Sequence, residues 1–157
     1  MKSFLIDGNN LIGKISSIKK IKNKDKESVR EKLVFLIEDY FHRKKGKVYL
    51  HFDGFENVPL RLSKGKIIYS EKSTADNNIK EQIERAKNRK NLIVISSDHE
   101  IQNFARVCSC KVLSSEEFAK ELTSKKNANE EESRIKSIDD IEEFKRLFNV
   151  GERLSQK

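Results

Sequence analysis

Short apolar runs alternate along this chain with longer stretches in which apolar residues recur every three or four positions. Ser3–Ile6, Val48–Phe52 and Leu92–Ile95 are runs of the first kind, too short for helices and dominated by β-branched and aromatic side chains, so each predicts a buried strand. Further strands are expected at Ile67–Tyr69 and Lys111–Leu113. Val29, Leu33, Leu36, Ile37 and Tyr40 form one helical stripe, which predicts a helix from Lys26 to Arg43 that Gly46 breaks. The stretch between the first strand and this helix, through Lys14, Lys19, Lys20, Lys22 and Lys24, reads as a long polar connection. Ile79, Ile83 and Ala86 mark the inward side of a helix that begins at Asp76 and ends in the basic run Lys87-Asn88-Arg89-Lys90, as the helix dipole favours. Ile101, Phe104 and Ala105 mark a short helix, and Ser114-Ser115-Glu116-Glu117 reads as a capping box opening another, with Phe118 and Leu122 inward.

Strands alternating with helices predict parallel βαβ units and an α/β fold, a three-layer sandwich with a mostly parallel central sheet. A polar, charged stretch from Thr123 to Arg134 reads as a linker. Beyond it Ile138, Ile141, Phe144, Leu147 and Phe148 restore a helical stripe. The expected organisation is therefore one domain over residues 1–122, then a charged linker and a C-terminal amphipathic helix over 123–157, the helix packing on its own domain.

Four acidic positions give this scaffold a chemistry. Asp7, Asp53 and Asp98 follow predicted strands, and Asp76 opens a predicted helix. In a parallel sheet the carboxyl ends of strands and the amino ends of helices share one edge, where ligands bind. Singly, each aspartate has a structural use: Asp-Gly is a turn dipeptide, and Asp76 and Asp98 can each cap a helix. Jointly they repel one another unless a cation neutralises them. The all-oxygen set suits Mg²⁺ or Mn²⁺. Asn9 and Asn10 beside Asp7, and Ser96 and Ser97 beside Asp98, are placed to orient those carboxylates. His51 lies within the second strand, His99 follows Asp98 and His42 closes the first long helix, and none is assigned a chemical role.

The chain has 157 residues, 36% hydrophobic and 37% charged, with a formal net charge of +8. An excess of Lys and Arg favours a polyanionic partner. No stretch has the eighteen or so apolar residues of a membrane span, and the amino terminus runs directly into a strand, so a cytoplasmic protein without membrane attachment is expected. Cys108 and Cys110 read as reduced thiols, too few for a zinc site.

Leu5-Ile6-Asp7-Gly8-Asn9-Asn10-Leu11-Ile12, Phe52-Asp53-Gly54, Thr74-Ala75-Asp76 and Ser96-Ser97-Asp98 occur in an order that resembles the NYN domains of the PIN-like nuclease superfamily, closest to the bacterial YacP-like branch. The resemblance covers residues 1–122. It implies a PIN-like α/β sandwich and hydrolysis of RNA with Mg²⁺ or Mn²⁺ held by the catalytic residues Asp7, Asp76 and Asp98, with Asp53 as a further metal ligand. Asn77 stands where a second acidic residue is common in that branch. No side-chain nucleophile is needed if metal activates the water.

The basic residues divide by topology. Lys14, Lys19, Lys20 and Lys22 follow the first strand and Arg61, Lys64, Lys66 and Lys72 the second, so both groups are expected to flank the acidic edge and grip RNA. Arg43-Lys44-Lys45-Lys47 and Lys87-Arg89-Lys90 precede strands and should lie at the opposite end, as a solvated face in preference to a second polyanion contact. Phe55 and Tyr69 are the candidate stacking aromatics. The expected activity is that of a metal-dependent endoribonuclease, the alternative being a non-catalytic RNA- or ribosome-binding module. A haloacid-dehalogenase-type site would need Asp at position 9, and no P-loop motif is present.

Overall fold

A computed structural model describes residues 1–21 and 25–124. Lys22, Lys24, the expected linker from residue 125 on and the expected C-terminal helix with Ile138, Ile141, Phe144, Leu147 and Phe148 lie outside the described residues, while residues 123 and 124, expected in the linker, close the last described helix. The elements are β1 (Ser3–Asp7), α1 (Gly8–Ile12), α2 (Ser16–Lys19), α3 (Lys26–Phe41), β2 (Lys47–Phe52), β3 (Gly65–Tyr69), α4 (Ala75–Arg85), β4 (Leu92–Ile95), α5 (His99–Val107), β5 (Lys111–Leu113) and α6 (115–124). The residues Met1–Leu122 form a compact unit.

The strands pair in the order β3-β2-β1-β4-β5, and every pairing is parallel. The chain thus builds outward from β1 through β2 to β3, then returns to the other side of β1 for β4 and β5. That reversal opens a crevice at the carboxyl ends of β1 and β4, the position at which open α/β sheets bind ligands.

Alternation along the strands sends successive side chains to two helical layers. Phe4, Ile6, Val48, Leu50, Phe52 and Ile95 face α1, α2, α3 and α6, where they meet Leu11, Ile15, Ile18, Leu33, Ile37 and Phe118. Leu5, Leu92 and Val94 face α4 and α5, against Ile79, Ile83, Ile101 and Ala105. The first layer is fastened by edge-on aromatic pairs, Phe4 with Phe41 and Tyr40 with both Phe41 and Phe118, at centroid separations of 4.8, 4.9 and 5.3 Å. The capping box forms reciprocally: Ser114 Oγ accepts from the Glu117 amide at 3.1 Å, and Glu117 Oε1 accepts from the Ser114 amide at 3.0 Å.

The expected polar connection after β1 instead holds α1 and α2. Leu11, Ile15 and Ile18 are spaced i, i+4, i+7 and are fully buried, so a helical stripe was present among the lysines. The helix predicted from Asp76 starts one residue earlier, with Thr74 as its cap. Its basic run Lys87–Lys90 falls beyond the helix, which ends at Arg85. Cys108 and Cys110 are free thiols. Among the described residues no helix is long and apolar enough to cross a membrane.

Gly8 is required by close approach where β1 passes into α1. A Cβ there would stand 2.7 Å from the His51 carbonyl oxygen and 2.8 Å from the Phe52 ring. Gly8→Ala is therefore expected to cost about 1–3 kcal/mol through overpacking. Urea denaturation checks this, and an unchanged midpoint would contradict the contact.

Candidate metal site at the sheet edge

Asp7 ends β1 and caps α1, and only 6% of its surface is exposed. Its Oδ2 accepts from Ser96 Oγ at 2.9 Å across the β1–β4 crevice, and its Oδ1 takes a long 3.5 Å bond from the Asn10 amide. Burial raises its pKa from 3.8 to about 6, with Asp76 and Asp53 adding repulsion and the bonds from Ser96 and Asn10 opposing it. Ser96 Oγ also accepts from the Asp98 amide at 3.1 Å, so one buried hydroxyl ties both acidic motifs together.

The asparagines clamp the neighbouring loops. Asn9 Oδ1 accepts from the Asp53 amide at 2.8 Å. Asn10 Oδ1 accepts from the Ser97 amide at 3.0 Å and from Ser115 Oγ at 2.7 Å, joining the ends of β1, β4 and β5. Ser97 Oγ accepts from the Ser115 amide at 2.9 Å and donates to Glu116. Thus Asn9, Asn10, Ser96 and Ser97 all lie in the network that fixes the acidic loops.

Asp98 caps α5 with Oδ1 alone, accepting from the Glu100 and Ile101 amides at 2.9 and 3.2 Å. Asp53 spends Oδ1 on the Ala75 amide at 2.7 Å, and Thr74 Oγ accepts from the Asn77 amide at 3.1 Å. Those two residues take the capping work that Asp76 was a candidate for. Asp76 sits half-buried in the first turn of α4, its pKa raised by burial and then by Asp98, with Lys80 opposing. Carboxylate oxygens of Asp76, Asp98 and Glu100 lie within 4.8 Å of one another. Asp7 and Asp53 lie close enough to interact with Asp76 but outside that tightest group. An all-oxygen set of this kind fits a hard divalent ion.

Three residues of this edge were not singled out in the sequence. Glu100 is two positions beyond Asp98 on the same first turn, a spacing that could have marked it. Lys80, one turn after Asp76, pairs with Glu100 at 3.4 Å. Arg30 is 1% exposed, on the stripe of Val34, Ile37 and Phe41. It donates to the Asp53 and Phe55 carbonyls at 2.7 and 3.0 Å and stacks 5.1 Å from the Phe52 and Tyr69 rings. The loop carrying Asp53 is thereby held from below, with Gly54 in the left-handed region at φ 91°.

The basic residues divide differently from expectation. Lys14, Lys19, Lys20 and Lys72 are exposed on connections that follow the carboxyl ends of β1 and β3, and Lys14 pairs with Glu116 at 3.3 Å. Arg61 is exposed on the β2–β3 connection. Lys64 is not at the acidic edge: its Nζ donates to the Phe41 carbonyl at 2.7 Å and to those of His42 and Lys44, closing the carboxyl end of α3. Lys66 follows Gly65 at the start of β3, so it too lies at the opposite end of the sheet. Tyr69 packs in the core layer under Arg30, while Phe55 is 53% exposed beside Asp53.

A domain-family profile for the YacP-like NYN domain matches residues 4–155. Two solved structures with the same fold are Rae1 (YacP) from Bacillus subtilis and a point mutant of it. The mutant is 23% identical over 87% of this chain and 84% of that one, with a TM-score of 0.74. The other is 22% identical over 85% and 80%, with a TM-score of 0.73. No curated protein matches the chain.

The raised Asp7 pKa fixes the sign of a pH effect in metal-free buffer. The folded state holds this proton more tightly than the unfolded chain, so the stability it contributes is fully present below pH 3.8 and lost as pH rises through about 6. The loss is on the order of 3 kcal/mol. Asp7→Asn should therefore gain stability over wild type as pH rises from 3.8 to about 6 in EDTA and keep that lead above it, read as melting temperatures that diverge over that window. A gap that stays constant with pH would contradict the assignment.

Proposed function

The chain belongs to the YacP-like NYN domain family, a PIN-like nuclease-type domain, and from that membership and its acidic edge we propose that it is a divalent-metal-dependent endoribonuclease. The observation that carries this reading is the convergence of Asp76, Asp98 and Glu100 beside Asp7, whose ionisation is opposed first by burial and then by Asp76 and Asp53. Carboxylates arranged for structure alone would be spread apart or neutralised by lysine. Among the described residues Lys80 is the cation that acts on Asp76, and it pairs with Glu100.

In this reading Asp7, Asp76 and Asp98 hold Mg²⁺ or Mn²⁺, with Glu100 and Asp53 at the margin. The chemistry supplied by such an ion is Lewis acidity, which makes a hydroxide nucleophile available near neutral pH and offsets charge building on the phosphate. The chain's own residues supply placement. Ser96 Oγ orients Asp7, Asn10 locks the Asp98 loop to α1, and Arg30 with Asn9 holds the Asp53 loop. Asp53 and Glu100 are exposed, so an RNA strand can lie across the edge without threading an end, which supports internal cleavage. Lys14, Lys19, Lys20 and Lys72 are then the backbone-gripping candidates, and Phe55 is the base-stacking one.

Cleavage of a circular single-stranded RNA tests the reading. It is expected with Mn²⁺ or Mg²⁺, absent in EDTA, and lowered about a hundredfold or more in Asp7→Asn, Asp76→Asn and Asp98→Asn, as loss of several kcal/mol of charge stabilisation implies. Cleavage that survives EDTA, or is untouched by all three substitutions, rules it out.

A further inference from the structure

We propose that a trench along the outer side of α4, over the face of β2 and β3 that carries Tyr49 and His51, binds a stretch of the RNA strand outside the cleavage site. The proposal rests on the ribonuclease reading for the identity of the polyanion. It assigns a role to the basic end of the sheet, where a merely solvated face was expected.

The trench has two lobes. One, of about 340 Å³, is lined by His51, Ile68, Asn78, Glu81, Gln82 and Arg85. The other, of about 310 Å³, includes Ser3, Tyr49 and Lys87 and shares Gln82 and Arg85 with the first, so the two adjoin on either side of those side chains. They arise because α4 packs on β1 and β2 and α5 on β5, so the same face of β3 is left beside α4 as an open shelf. Asn78, Gln82 and Arg85 are spaced i, i+4, i+7, a single polar stripe facing that shelf. The stripe rises about 10 Å, room for roughly two or three nucleotides.

Its composition matches a nucleic-acid strand. Arg85 and Lys87 line the walls. Lys66 lies opposite Tyr49 in the β2–β3 register and two residues before Ile68, hence on the trench side of β3. Lys47 Nζ is 5.9 Å from the Tyr49 ring. Of the side chains that line the two lobes, Arg85 and Lys87 are cations and Glu81 is the carboxylate, its Oε2 3.9 Å from an Arg85 nitrogen, while Lys47 and Lys66 stand outside both linings. Tyr49 offers a ring to a base, and the amides of Asn78 and Gln82 offer donors and acceptors to base edges. On the floor, His51 is 1% exposed, with Nε2 held by Gln82 at 2.9 Å and Nδ1 without a hydrogen-bond partner among the described residues.

The trench leads to the acidic edge. The connection is made through the sheet: His51 is the register partner of Asp7 and faces the same side, whereas Asn78, two positions beyond Asp76, lies on the other flank of α4 from it. A strand whose scissile phosphate lies at the carboxylates can therefore continue down the side of α4 toward Arg85 and Lys87.

The test uses Arg85→Glu/Lys87→Glu and, as a control of equal charge change on other elements, Lys32→Glu/Lys111→Glu. With a 20-nucleotide single-stranded RNA the trench variant should show KM raised about tenfold or more at low salt. The dependence of log KM on log salt should be shallower by about 1.4, for two lost phosphate contacts. Cleavage of a four-nucleotide RNA should be unchanged, and the control should match wild type on both substrates. An unchanged KM on the long RNA, or equal loss on long and short RNA, overturns the trench. Binding of the 20-mer in EDTA separates this from the catalytic reading. Wild type that binds but never cleaves, with binding lost in the trench variant, keeps the trench and removes the ribonuclease. Cleaving wild type with a trench variant that binds equally well does the reverse.

Discussion

Asp7 is taken out of water at the end of the central strand, beside two other carboxylates, and that desolvated charge sets the terms for the residues around it. A buried carboxylate is tolerable only with donors at its oxygens. Ser96 supplies the short bond, and the same hydroxyl receives the Asp98 amide, so relief of one charge fixes the position of another. Asn10 and Asn9 extend the arrangement to the loops after β4 and β2. What remains uncompensated is the repulsion that a divalent cation would remove.

The Asp53 loop depends on a second buried charge, the guanidinium of Arg30. Its donors go to backbone carbonyls of the loop, and it lies over two neighbouring aromatic rings whose centroids are 6.0 Å apart. Removing a buried charge from such a setting leaves carbonyls unsatisfied and a void above the rings, which is why this single residue couples the α3 core layer to the acidic edge. Helix capping is distributed to the same end. Thr74 and Asp53 cap α4, so Asp76 keeps its carboxylate for the cleft, whereas Asp98 divides its two oxygens between cap and cleft. The four aspartates are therefore unequal in how much of each is committed to holding the fold.

Acidic and basic surfaces separate along the sheet axis. The carboxylates gather where the strands end, while Lys47, Lys66, Arg85 and Lys87 gather toward where they begin. Opposite charges at the two ends of one α4-lined face give a polyanion a direction of approach, and spare the acidic edge from neutralisation by neighbouring lysines.

Strand positions, helical stripes and the acidic motifs were legible in the chain because each is local. β4 and β5 fall where the apolar runs place them, and Phe118 and Leu122 face inward as the capping box implies. The shared edge of the aspartates followed from parallel topology alone. The helical character of the stretch holding Leu11, Ile15 and Ile18 was masked because it is split into two helices of five and four residues, too short to show a period, and Glu100 and Arg30 gain their meaning only from neighbours distant in sequence. Lys64 and Lys66 were assigned to the acidic edge by their place after β2, yet the connection to β3 crosses the whole sheet before reaching them. Local pattern determines which faces are buried and which residue types end each strand. Which charge meets which, and whether an aspartate caps a helix or faces a cleft, is decided by through-space distances that only the folded packing sets.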